Sequence, residues 1–144
     1  MPLPVPEPGL VISYAYLWHY EQSAGAEEGR KHRPCVIVLA VQRLDDQTTV
    51  VTVLPITHRL PANPSEAVEL PLRVKRHLGL DDERSWVMLH EGNEFIWPGY
   101  DLRTLPQSRD RYDYGLLPPR LFELIVTRFH ALWAAGQGRT VPRD

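Results

Sequence analysis

The sequence predicts a mainly β fold: short strands folded into a small, strongly bent sheet or barrel, with one helix packed on it near the C-terminus. Three observations carry this expectation. Apolar runs rich in β-branched and aromatic residues recur at Leu10–Trp18, Cys35–Val41 and Thr48–Leu54. Proline and glycine punctuate the chain between them, with 14 prolines and 9 glycines breaking any long regular segment. Sustained helical spacing comes late, through Leu121, Phe122, Leu124, Ile125, Phe129, Leu132 and Trp133.

In chain order, residues 1–8 place proline at every second position. That forbids a helix and predicts an extended arm. Gly9 releases the chain into a strand over Leu10–Trp18. His19 to Glu28 is polar and rich in small residues, and reads as a loop carrying Glu21, Glu27 and Glu28. Cys35–Val41 is a continuous apolar run, which predicts burial on both faces. Turn residues at Leu44–Gln47 lead to Thr48–Leu54, so the two runs form a hairpin. Pro55 should end that strand, because it cannot donate to a ladder. Ala67–Leu70 is a short strand, and Arg73–Leu80 is either one helical turn or irregular. Ser85–Leu89 and Glu94–Trp97 are strand pieces, with Glu91, Gly92 and Asn93 between or within them. Pro98–Asp113 is turn-rich. Pro118 and Pro119 suit the first turn of a helix, and Gly136 and Gly138 stop it. The domain expected is therefore residues 9–138, with a tail over 139–144.

A chain of 144 residues is one domain by size, and can bury a core without disulfides. A net charge of −2 supplies no bulk basic field, so any nucleic-acid contact must come from a local cluster. The single cysteine, Cys35, excludes an internal disulfide or a multi-cysteine zinc site and fits a reducing compartment. It lies in an apolar run, where an inert thiol is expected. No apolar run is long enough to span a membrane, and no signal peptide is evident. A cytoplasmic protein is expected.

The chemistry gathers at two strand ends. Gly29–Leu39 runs a basic knot, Arg30, Lys31, His32 and Arg33, into a strand. Val50–Arg59 runs a strand out into Thr57, His58 and Arg59. Arg33 precedes Pro34, which holds it extended, and a fixed guanidinium presents a planar set of donors suited to phosphate or carboxylate. The plainer reading is a surface arginine paired with Glu27 or Glu28. Thr57 can donate to a phosphate oxygen, and His58 can move a proton near neutral pH; the plainer reading is a polar turn. If the two strands pair, Arg33 and Thr57 share one edge of the sheet. His90 and Glu91 form a third candidate beside Asn93, against the reading of a solvated bend. Histidines at 19, 32, 58, 77 and 90 do not fall at metal-ligand spacing. No glycine-rich phosphate loop is present, and neither metal nor cofactor is expected.

With these residues in view, the sequence resembles the PemK/MazF toxins of type II toxin–antitoxin systems. Gly9 opening the first strand, Gly29 to Arg33-Pro34 with its apolar strand, Pro55-Ile56-Thr57, the Ser85–Trp97 region and the proline-opened helix over Leu117–Leu132 follow the family's order. EEGRKHRPCVIVLA, VLPITH, RVKRHLGLDDERSW and WPGYDLR look like a PemK-like growth-inhibitor branch. The resemblance implies an SH3-like β-barrel, a homodimer, an antitoxin partner, and metal-independent cleavage of single-stranded RNA. In that reaction the 2′-hydroxyl attacks the adjacent phosphate, leaving a 2′,3′-cyclic phosphate and a 5′-hydroxyl. Arg33 and Thr57 match the family's catalytic arginine and threonine. His90-Glu91 stands where the family often has Asp-Gln. Arginine is a poor base, so His58, ranked first for its place beside Thr57, then Glu91 and His90, are the candidates for proton transfer. Arg30, Lys31, His32, Arg59 and Asn93 are the expected RNA contacts. The alternative is a non-catalytic toxin or binding module on the same barrel, as in the related CcdB toxins.

Overall fold

Apolar side chains on both sides of the central strands decide the architecture. The computed structural model describes residues 3–23 and 32–143. Its strands are β1 Leu10–Tyr14, β2 Arg33–Gln42, β3 Thr49–Thr57, β4 Ala67–Glu69, β5 Trp86–Met88, β6 Glu91–Ile96, β7 Asp113–Leu116 and β8 Arg139–Pro142. Among the described residues three α-helices accompany them, α1 His19–Ser23, α2 Leu72–Leu78 and α3 Pro119–Ala134, with a single 3-10 turn at Pro64–Glu66. The fold is thus mainly β with a C-terminal helix, as expected. No helix among the described residues is long and apolar enough to cross a membrane.

Strands follow the order β4-β5-β3-β2-β1-β7, with β6 also on β3 and β8 parallel to β6. β3 is the hub. One edge pairs with β2, while the other pairs with β6 through Val50–Val53 and with β5 through Ile56 and Thr57. The sheet therefore forks at β3. Side chains alternate along a strand, so Val11, Val36 and Leu54 enter one core while Ile12, Cys35 and Val53 enter another. The first core is closed by Ile125 and Phe129 of α3 and by Leu78 of α2. The second is closed by Phe95 and Tyr16. Trp133 of α3 also donates its indole N–H to the Leu89 carbonyl at 2.6 Å. Gly138 is required next to it, since a Cβ there would overlap the Trp133 ring.

Several boundaries differ from the sequence reading, each for a local reason. Pro55 does not end β3. It falls between the two pairing segments on that edge, opposite Cys35 of β2, where neither β5 nor β6 pairs with it. Burial on both faces holds for Cys35–Val38 but not beyond, because Leu39 and Val41 are 39% and 58% exposed. β1 stops at Tyr14 rather than Trp18. The Ala15 N–H turns to the Asp101 carbonyl, and Leu17 gives both backbone groups to the Asn93 side chain. The loop expected from His19 opens as α1, with the Glu21 carboxylate accepting from the Trp18 N–H, a reach-back that supports a first turn. Asp113–Leu116 forms β7 against β1. The expected tail contains β8, and its continuation Arg143 forms a buried ion pair with Asp101 at 2.7 Å.

Candidate active site

Register brings the two strand ends together. Cys35 pairs with Pro55 in the β2–β3 hairpin, and extending that antiparallel count by two residues sets Arg33 opposite Thr57. Both side chains line a cavity of about 500 Å³, together with His32, His58 and Arg59. The guanidinium of Arg33 lies over the Trp18 ring, 5.1 Å from its centroid. Cation–π contact of this kind holds the head group while leaving its edge free for an anion. Its Nε is buried and finds no hydrogen-bond partner among the described residues. Thr57 is buried, and its Oγ1 accepts from the Arg59 N–H at 3.1 Å. Accepting there fixes the rotamer and leaves the O–H to donate into the cavity.

His58 faces carboxylates with both ring nitrogens. Nε2 lies 2.8 Å from Asp81 Oδ2, and Nδ1 lies 3.2 Å from Glu83 Oε2. Asp81 is itself held from beneath. Its Oδ1 accepts from the Lys75 ammonium at 2.8 Å and from the Glu83 N–H at 3.1 Å. Lys75 is buried on α2, and it also donates to the Glu83 carbonyl. Partial burial pushes the Asp81 carboxyl up, but the hydrogen bonds and charges of Lys75 and His58 outweigh this and hold it below its ordinary value. The helix that delivers Lys75 ends on Gly79 in the left-handed region at φ 77°, with the Leu80 N–H returning to the Lys75 carbonyl. That Schellman-type stop aims the following loop, and so Asp81, at His58. One ligand atom from each of His58, Asp81 and Glu83 lies within 4.8 Å of the others. A cation would need those oxygens, and the Lys75 ammonium already claims one of them.

His90 and Glu91 belong to a neighbouring space. They line two smaller cavities next to the first, which shares Tyr20 with both and Arg59 with one. Glu91 is buried, accepting from the Tyr16 hydroxyl at 2.9 Å and the His19 N–H at 3.0 Å. Burial, and then the Glu91 charge, push the Tyr16 phenol well above its ordinary range. His90 is half-buried, and its Nδ1 has no partner among the described residues. Asn93, an expected RNA contact, is instead fully buried. Its amide clamps Leu17 on both backbone groups, and its oxygen also accepts from Arg143. His32 is exposed, with Nδ1 3.1 Å from the Ser13 hydroxyl. Arg30 and Lys31, like Glu27, Glu28 and Gly29, lie outside the described residues.

Sequence reasoning missed Trp18, Tyr20, Lys75 and Asp81 as parts of this region. Trp18 and Tyr20 stack with centroids 6.3 Å apart, and Tyr20 is 59% exposed. Two aromatic residues at alternate positions, a short way ahead of a basic cluster, were the signal available for these two. For Lys75 and Asp81 the signal was weaker: a basic helix followed directly by an acidic run at Asp81, Asp82 and Glu83. Cys35 is fully buried in the second core, and burial pushes its thiol far up, away from any nucleophilic role.

A family model described as the PemK-like, MazF-like toxin of type II toxin–antitoxin systems matches residues 15–132. The match takes in both strand ends, the α2 loop and most of α3. No curated protein and no solved structure gives a significant match.

Proposed function

The chain belongs to the PemK-like, MazF-like toxin family of type II toxin–antitoxin systems, and on that premise we propose that it is an endoribonuclease acting on single-stranded RNA without a metal. Membership implies a cognate antitoxin as partner. The observation that carries the reading is the convergence of Arg33 and Thr57 on one cavity, with an aromatic ring beside them. Three kinds of donor meet there: a planar cation, a hydroxyl and an imidazole. That set suits a phosphodiester, whose bridging phosphate develops extra negative charge in the transition state.

In this mechanism the 2′-hydroxyl attacks the adjacent phosphorus. Arg33 stabilises the charge on the phosphorane, and Thr57 donates to a second non-bridging oxygen. Collapse expels the 5′-oxygen and leaves a 2′,3′-cyclic phosphate. Of the three proton carriers expected from the sequence, His58 is the one that lines the same cavity as Arg33 and Thr57. Trp18 and Tyr20 offer stacking faces for flanking bases, which single-stranded RNA exposes. A homodimer is part of the proposal.

Substitution at the two strand ends tests the reading. Arg33→Ala and Thr57→Ala should each lower RNA cleavage by about 10²- to 10³-fold, the usual cost of losing one oxyanion donor, and should relieve growth inhibition in step. If both variants inhibit growth as strongly as the parent chain, toxicity does not come from this cavity. A non-catalytic toxin that blocks a protein target would then be the better account.

A further inference from the structure

Asp81, in the loop between α2 and β5, joins two side chains from other elements, Lys75 of α2 and His58 just beyond β3, and of the three only His58 has a part in the reaction above. Lys75, Asp81 and His58 form a connected line that starts in the core and ends in the cavity. Each link has a defined atom. Lys75 Nζ reaches Asp81 Oδ1 at 2.8 Å, and Asp81 Oδ2 reaches His58 Nε2 at 2.8 Å. The Glu83 N–H adds a second donor to Oδ1. The two carboxylate oxygens are not equivalent: Oδ1 carries the anchoring bonds and lies 3.0 Å from His58 Nε2, while Oδ2 has no anchor and makes the shorter approach of 2.8 Å.

We propose that Asp81 is a positioning residue for RNA cleavage: anchored by Lys75, it holds His58 through Nε2–H and so makes Nδ1 the atom that takes the proton of the ribose 2′-hydroxyl. The inference rests on the endoribonuclease reading above. Both ring nitrogens face a carboxylate, which can only accept, and the neutral ring has one N–H to give; the closer and anchored Asp81 takes it at Nε2, 2.8 Å away against 3.2 Å for Glu83 at Nδ1. The lone pair then falls on Nδ1. Glu83 Oε2 stands 3.2 Å from that atom, on a side chain 73% exposed. A carboxylate so loosely held yields its place to an incoming hydroxyl.

The proton balance closes. The 2′-hydroxyl passes its proton to Nδ1 as its oxygen bonds to phosphorus. The P–O5′ bond breaks, the leaving oxygen takes a proton from water, and the imidazolium returns one to the hydroxide so formed. Cyclisation consumes no net proton. The imidazolium is stabilised while it exists by Asp81 at Nε2.

Asp81→Asn is the discriminating change, because it keeps the shape and reverses one hydrogen bond. Lys75 and the Glu83 N–H hold the amide oxygen at the Oδ1 position, so the new NH2 group takes the Oδ2 position, the nearer of the two to His58 Nε2 at 2.8 Å against 3.0 Å. That group donates, and the ring is driven to carry its proton on Nδ1 instead. The wrong tautomer cannot accept from the 2′-hydroxyl, an effect that reaches about 10⁴-fold when an aspartate–histidine pair is broken this way in serine proteases.

The test joins two measurements on the full chain. Nitrogen-15 NMR of the neutral His58 ring should show Nε2–H in the parent protein and Nδ1–H in Asp81→Asn. Cleavage of a single-stranded RNA should fall at least about 10²-fold in kcat in that variant, while binding of the same strand with 2′-deoxyribose at the cut site changes less than about threefold. Glu83→Gln, in contrast, should keep kcat within about threefold. Nδ1–H in the parent ring, or an Asp81→Asn enzyme that retains its kcat, overturns the proposal. So does a Glu83→Gln variant as impaired as Asp81→Asn. A parent chain that cuts no RNA overturns the endoribonuclease reading, and the NMR arm then decides separately whether Asp81 sets the tautomer.

Discussion

Replacing Asn93 by alanine separates a structural role from an RNA contact. Asn93 is 0% exposed. Its Oδ1 accepts from the Leu17 N–H at 2.8 Å and from Arg143 Nη1 at 3.2 Å, and its Nδ2 donates to the Leu17 carbonyl at 2.8 Å. Alanine leaves the Leu17 N–H and carbonyl buried without these partners, each at a cost of about 1–3 kcal/mol. Arg143 keeps its Ala15 carbonyl and its ion pair with Asp101, so its share of the loss is smaller. The sum is about 3–5 kcal/mol, a large part of the roughly 5–15 kcal/mol that holds a domain folded. At about 2–4 °C per kcal/mol for a chain of this size, Tm should fall by about 10 °C. Urea denaturation followed by tryptophan fluorescence measures the free energy, and differential scanning calorimetry the Tm. RNA binding, measured well below the lowered Tm, should stay within about threefold of the parent. A Tm within about 2 °C of the parent, with RNA binding lost, would refute the structural role and return Asn93 to the RNA surface.

Other expectations follow from the same contacts. Ile125→Ala, on the buried face of α3, should cost about 2–5 kcal/mol, read as a shift in the urea midpoint without a change in slope; a loss under 1 kcal/mol would mean α3 does not close that core. Native protein should leave Cys35 unmodified by a thiol reagent over the time in which denatured protein reacts fully, because burial both covers the thiol and raises its pKa. Asp81 has its folded pKa depressed, so its contribution to stability is present above the unfolded value near 4 and is lost as pH falls through the folded one. The stability gap between the parent and Asp81→Asn should accordingly be full at pH 7 and close below about pH 4; a gap that widens on acidification would show the sign to be wrong. Arg33→Lys should recover little of the activity lost in Arg33→Ala, since an ammonium lacks the planar fork that Trp18 supports.

What could be read from the sequence follows how local the determining physics was. The β2–β3 hairpin was legible because its apolar runs and turn lie within one short stretch. Its register then carried Arg33 and Thr57 to one edge without further information. The helix over Pro119–Ala134 was legible from its spacing and its prolines. β8 was not, because Val141 is its one buried side chain and its parallel partner lies far away in the chain. Asn93 read as a solvent-facing polar residue, whereas its environment is set by Leu17 and Arg143, contacts that no periodicity reveals. Glu91 was misleading in the same way: its partners Tyr16 and His19 come from the other end of the chain. The Lys75–Asp81–His58 line crosses from a helix to a strand end, and only the packing of α2 brings those residues together.

The central claim is the chemistry of RNA cleavage, and the ends of the products report it most directly. Purified protein is incubated with single-stranded RNA in excess EDTA, and the fragments are analysed by mass spectrometry. The account predicts cleavage that persists in the chelator, with a 2′,3′-cyclic phosphate on one fragment and a 5′-hydroxyl on the next. Fragments ending in a 3′-hydroxyl and a 5′-phosphate, or RNA left intact, would contradict it.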